Sequence, residues 1–187
     1  NQCLAKASGD LENPLKECLR GYFLRLDAEA AAAIAATIKP GAERAAMLTL
    51  YVCLPLRGET WRLLDSEDQS MRREYWAGVP ASWNRYKPEE LNELIDGLLE
   101  AGRAAAAFHA VHLDWTNVET SRLKRLLTAL GTTSGEKPEP IRLQPYEISE
   151  ALEALGRRSG VSVDEMAQLE FMYLKALDHS DHGIPNL

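Results

Sequence analysis

Motifs that carry chemistry are missing from this chain. Neither Gly-x-x-x-x-Gly-Lys-[Ser/Thr] nor Gly-x-Gly-x-x-Gly occurs in its 187 residues, so the glycine-rich phosphate cradles are absent. A Gly-x-Ser-x-Gly nucleophile elbow is missing as well. Cysteine is scarce: Cys3, Cys18 and Cys53 are far apart and odd in number, and no Cys-x-x-Cys spacing indicates a zinc clip or a redox pair. Cys18 and Cys53 sit among apolar residues, where a free cysteine acts as a small hydrophobe. The setting Tyr51-Val52-Cys53-Leu54-Pro55 raises a thiol pKa and argues against a nucleophile. No apolar run approaches the roughly 18 residues that span a bilayer. The first residues lack the basic-then-apolar order of a signal peptide, and free thiols fit a reducing compartment, so a cytoplasmic location is expected. Positive charge is short too, with 21 Lys and Arg against 28 Asp and Glu, a net charge of -7 and a pI near 5.2. That balance argues against nucleic acid or an anionic membrane as the main partner, since both reward clustered cations. The basic spots at Arg72 and Arg73, and at Arg122, Lys124 and Arg125, read as solvated helix faces.

What the chain does have is apolar side chains repeating with helical rhythm. Asn13-Pro14 starts a helix with proline where its missing N–H costs nothing. Leu15, Cys18, Leu19, Tyr22, Phe23 and Leu26 then mark one buried face. Asp27 caps an alanine-rich helix over Ala28 to Ala36, which Pro40-Gly41 ends, and those alanines allow a neighbour to approach closely. A helix over Ala42 to Leu54 follows, with Ala46, Leu50 and Cys53 on one face and Pro55 as breaker. Two shorter helices run over Glu59 to Leu64 and Glu67 to Trp76, with Ser66 and Gln69 at capping-box spacing. Val79 to Lys87 is an ordered connection. A hairpin spans Pro88 to about Trp115, with a stripe of Leu91, Leu94, Ile95, Leu98 and Leu99 and a turn at Gly102. Leu123, Leu126, Leu127 and Leu130 mark one more helix, closed by Gly131. Residues 131–144 form a long exposed loop. A second hairpin spans Pro145 to about Leu177, turning at Gly160, with Ser162 and Glu165 again at capping-box spacing. Val163, Met166, Leu169, Met172, Tyr173 and Leu177 line its last helix. No consensus repeat fits.

The expectation is an all-α fold: an irregular, right-handed stack of antiparallel helical hairpins, an α-solenoid of TPR- or HEAT-like kind, as a single domain over residues 1–187. The chain begins at Asn1 and ends at Gly183-Ile184-Pro185-Asn186-Leu187, which reads as part of a larger protein.

All four histidines fall into His-x-x-His pairs, His109/His112 and His179/His182, with Asp114 after the first pair and Asp178 and Asp181 flanking the second. Zinc accepts two His and a carboxylate, so a metal-dependent helical hydrolase is the alternative reading. The spacing departs from the four-residue step of a zincin helix, and imidazoles near a helix C-terminus also serve its last carbonyls. Glu89, Glu90, Glu93 and Asp96 read as an exposed helix face. Aromatic residues offer the better binding candidates: Trp61, Tyr75, Trp76, Trp83 and Tyr86 concentrate mid-chain, mixed with Arg62, Arg72, Arg73 and Arg85. Much of such a cluster anchors packing, and any exposed part has the composition of an interface hot spot.

Four strings, Arg73-Glu74-Tyr75-Trp76, Leu98-Leu99-Glu100-Ala101-Gly102-Arg103-Ala104-Ala105, Gln168-Leu169-Glu170-Phe171-Met172-Tyr173-Leu174 and residues 179–187, resemble the helical-repeat regions towards the C-terminus of large bacterial STAND-type NTPases, antiviral defence proteins among them. The resemblance covers roughly residues 55–187. It implies a sensor or scaffold segment that recognises a protein ligand or another domain of its own chain, without cofactor and without catalytic residues, since no nucleotide motif is present to match. The function expected is therefore non-catalytic protein–protein recognition.

Overall fold

The computed structural model describes residues 14–38, 42–81, 84–132 and 144–178. Among these residues every regular element is helical, ten α-helices and one 3-10 turn, with no strand. The chain divides into two compact units, Asn1–Pro80 and Ala81–Leu187, each described by itself.

In the first unit, α1 (Pro14–Phe23) opens on its proline, and α2 (Ala28–Ile38) begins behind Asp27, whose carboxylate accepts the Ala30 N–H at 2.7 Å. The expected stop at Pro40-Gly41 lies outside the described residues. Next come α3 (Arg44–Cys53), ended before Pro55, then α4 (Gly58–Leu64) and α5 (Gln69–Gly78). Helices pack next-but-one: α1 on α3, α2 on α4 and α3 on α5. Ala31 and Ala35 are buried on α2, consistent with the close approach that alanine permits. Leu50, Tyr51, Trp61, Leu64, Met71 and Tyr75 form the centre. Each such large side chain contributes about 1.5–3 kcal/mol through its burial.

Two expectations here are corrected. The buried face of α1 is rotated: Phe23 is buried and Lys16, Leu19 and Arg20 are half-buried, whereas Cys18 and Tyr22 are exposed. The aliphatic stems of Lys16 and Arg20 cover apolar surface while their charges reach water. The Cys53 thiol meets the Lys16 carbonyl at 3.6 Å on that side. The cap of α5 is Asp68, not Ser66: its carboxylate accepts the Met71 N–H at 2.8 Å, while the Ser66 hydroxyl donates to the Leu63 carbonyl. A carboxylate at this position also meets the positive helix end, which a hydroxyl does not match.

The second unit holds α6 (Pro88–Glu100), α7 (Ala104–Val111), a 3-10 turn (Trp115–Asn117), α8 (Thr120–Thr132), α9 (Pro145–Gly156) and α10 (Val163–Asp178). Gly102 and Gly160 turn the two hairpins with φ of 73° and 89°, the left-handed region that glycine enters freely. Helices α6 with α7 and α9 with α10 pack as the hairpins the sequence predicts, and α8 packs on α6, α7, α9 and α10. Leu91, Leu94, Ile95, Leu98, Phe108 and Leu123 form the heart of the unit. Glu90 and Glu147 are buried acids with a shared duty, accepting the N–H of Lys87 and of Gln144, each at 2.9 Å, at the starts of α6 and α9. Ser162 and Glu165 close the expected capping box reciprocally, at 3.0 and 3.2 Å.

Helix α7 is shorter than expected, because His112 and Leu113 take φ of 35° and 61° and reverse the chain before Trp115. Gly131 does not close α8, which runs on to Thr132. A methyl group there would lie 2.7 Å from Met172 Cε and 3.4 Å from Tyr173 Cζ, so this glycine serves the approach of α10. The Tyr173 hydroxyl donates to the Leu127 carbonyl at 2.5 Å beside it. The rest of the expected long loop, 133–143, lies outside the described residues.

Candidate functional site

The aromatic candidates are mostly committed to packing. Trp61 and Tyr75 are buried in the first unit, and the Trp61 indole N–H donates to the Tyr75 hydroxyl at 3.3 Å. Trp76 joins them with ring centroids 5.5 Å from Trp61 and 5.1 Å from Tyr75, and remains half-buried. Arg62, Arg72 and Arg73 are exposed. Tyr86 is buried in the second unit, Arg85 there is exposed, and Trp83 lies outside the described residues. The aromatic surface left open to a partner among these is thus part of Trp76.

Beside this cluster, Arg44 joins Asp68 at 3.0 Å and Glu74 at 2.6 Å, and Ser70 donates to Glu74 at 3.0 Å. The Arg44 hydrogen bond holds Glu74 below the usual carboxylate range. A cleft of about 320 Å³ lies next to it, lined by Lys16, Leu48, Val52 and Gly78 among others.

In the second unit the first histidine pair stands at the end of α7, His109 in its last turn and His112 as its left-handed cap. His112 Nδ1 meets Glu147 Oε1 at 3.3 Å, and an open hollow of about 550 Å³ lies beyond, lined by Asn84, Arg85, Tyr86, His112, Leu113 and Asp114. Asp114 is held by the Asn117 amide at 2.6 Å. No three His, Cys, Asp or Glu gather as a metal cluster among the described residues, and His179, His182 and Asp181 lie outside them. The carboxylate that meets His112 is Glu147, 35 residues away in sequence, and so invisible to spacing arguments.

Three basic residues read as a solvated face are in fact engaged. Arg122 pairs with Asp96 at 2.9 Å and with Glu119, Arg125 pairs with Asp96, and Lys124 pairs with Glu165. The Lys124 hydrogen bond pulls Glu165 down to about 2, with the Ser162 N–H adding to it.

The most open apolar surface lies on α10. Val163 is 85% exposed, Phe171 75% and Leu174 53%. With the exposed Ala167 they recur at steps of four, four and three residues and fall within one arc of the helix, on the far side from the buried Leu169 and Tyr173. An open groove of about 630 Å³ runs alongside, between Leu152, Glu153 and Gly156 of α9 and Met166, Glu170 and Leu174 of α10. Sequence reasoning missed this site by counting Val163 among the residues that line the helix and giving Phe171 and Leu174 no place in that stripe. The signal was present: Val163, Met166, Leu169, Phe171, Met172, Tyr173 and Leu174 spread well beyond one face of the helix, more than a single neighbouring layer can cover.

No helix among the described residues is long and apolar enough to cross a membrane. Searches of family models, curated proteins and solved structures find no match to this chain.

Proposed function

We propose that this chain is a non-catalytic recognition scaffold that binds a protein partner, or another domain of its own chain, through the outer face of α10 and the groove beside it. The observation that carries this reading is the solvent-facing arc of Val163, Phe171 and Leu174 on a helix whose opposite side is packed. Isolated exposed apolar residues are ordinary, but an aligned arc beside a groove is the pattern of an interaction surface. The next-but-one packing of α1 to α5 supports the solenoid arrangement, in which each helix leans on its counterpart in the following pair. The reading agrees with the resemblance to sensor segments of STAND-type NTPases, and on it no cofactor is used.

A photo-crosslinking amino acid at Phe171, compared with one at exposed Arg62, tests the proposal in cells. A discrete protein adduct recurring at residue 171 and absent at residue 62 supports it. The same adducts at both positions, or none at 171, would overturn it. Stoichiometric zinc in purified protein, lost on His109→Ala with His179→Ala, would replace it with the metal-dependent reading.

A further inference from the structure

We propose that the α9–α10 groove receives an amphipathic helix whose apolar stripe is flanked by lysine or arginine. This rests on the recognition reading and adds the partner's chemistry. The floor is apolar: Leu152 is buried, Met166 is half-buried, and a methyl on Gly156 would touch Met166 Cε at 3.5 Å, so the absent side chain leaves a notch. The lining runs from Ser149 on α9 to Arg157 at its C-cap and from Met166 to Leu174 on α10. Either stretch rises about 12 Å, two turns of a docked helix, which suits anchors at i, i+3 or i+4, and i+7.

The charge of the rim sets the sign of the partner. Residues 145–178 carry seven carboxylates against three basic side chains, a net of -4. Arg157 is tied to Glu153. Arg158 is committed to the Trp115 and Val118 carbonyls and the Thr120 hydroxyl. Glu150, Asp164 and Glu170 are exposed and have no ion-pair or hydrogen-bond partner among the described residues. Of these, Glu170 lines the groove itself, while Glu150 and Asp164 stand elsewhere on the same hairpin, so an incoming helix with basic flanks would meet unopposed negative charge at Glu170 and long-range attraction from the hairpin would steer it there. A second copy of this chain fits poorly, because a two-fold contact repeats each patch and sets Glu170 near its own counterpart. An anionic bilayer is repelled by the same charges. The described residues offer no strand edge, so an extended peptide has no ladder to join.

The test is a displayed library of helical peptides of about 16 residues, long enough to hold the helix, with a fixed leucine stripe and all other positions randomised. It is selected on the whole protein and counter-screened on Leu174→Glu, whose fold is checked by circular dichroism. Expected are Lys and Arg enriched over Asp and Glu beside the stripe, and about tenfold weaker binding to Leu174→Glu. Glu170→Lys, an exposed change, should erase the basic bias while binding persists. Peptides without charge bias, or with an acidic one, that still depend on Leu174 would overturn this inference and leave the recognition reading standing. Peptides that ignore Leu174→Glu, or no enriched peptide at all, would end both. Adsorption to phosphatidylserine vesicles in place of peptide binding would overturn the choice of a helical partner.

Discussion

The open face of α10 makes a quantitative claim about two neighbours on one helix. Leu169 is 4% exposed and Phe171 is 75% exposed, yet only one residue separates them. Full burial of a phenylalanine contributes about 1.5–3 kcal/mol, so a ring that keeps a quarter of its surface covered gains about 0.4–0.8 kcal/mol. Phe171→Ser should therefore cost less than about 1 kcal/mol, small changes in helix propensity included. Leu169→Ala removes a buried side chain and leaves a cavity, which costs about 2–5 kcal/mol. Hydrogen exchange of the α10 amides in the native protein reads both values locally, which matters because a chain of two compact units need not unfold in one step. The expected outcome is Phe171→Ser within a few-fold of wild type and Leu169→Ala with protection lost by more than about 30-fold. Equal losses in the two variants would mean that Phe171 is covered in the folded protein, and the docking argument would fail with it.

Three further outcomes follow from the geometry. Gly102→Ala forces a side chain to φ 73° with nothing else in its way and should cost about 1 kcal/mol, whereas Gly21→Ala, inside α1 with open space around it, should gain up to about 1 kcal/mol; equal signs in thermal melts would contradict the backbone assignment. Glu165 is held at about 2 against an ordinary 4.5, so its contribution is complete above the ordinary value and fades as pH falls towards 2. The melting-temperature gap between wild type and Glu165→Gln should accordingly narrow from pH 6 to pH 2.5 and must not widen. Cys18 is exposed, while burial pushes the Cys53 thiol up to about 11, so a thiol reagent at pH 8 should modify Cys18 quickly and Cys53 only after denaturation; comparable rates would refute the packing of α3 against α1.

Most of the helical architecture was legible because its signals are local. Prolines at 14, 88 and 145 open helices, Asp27 and Ser162 cap them, and Gly102 and Gly160 turn them. What sequence could not give is the rotation of a helix about its own axis when two apolar arcs compete. In α1 the long stems of Lys16 and Arg20 took the inward position that Cys18 and Tyr22 were expected to hold. Gly131 looked like a stop signal because a glycine near a helix end usually is one, and only the approach of Met172 shows its other use. The same ambiguity hid the candidate site. On α10 the apolar residues exceed what one neighbouring layer can cover, and periodicity assigns a stripe without saying that a second one is left over.

The charges resolve into an asymmetry of the same kind. Arg44, Arg122, Lys124, Arg125, Arg157 and Arg158 are all engaged within their own unit, by carboxylates or by carbonyls. The carboxylates outnumber them, so some must face water, and on the second hairpin those are Glu150, Asp164 and Glu170. A net charge of -7 is therefore no uniform coat on this chain. Several of its cations tie helices together, as Arg44, Arg122, Lys124 and Arg125 do, and part of the acidic surplus surfaces where α10 leaves its apolar arc uncovered. Solvation of exposed carboxylates discourages the stray collapse that a bare apolar face invites. A partner that brings both leucine and lysine satisfies the two features together, whereas one that brings only apolar surface strands the acids beside it.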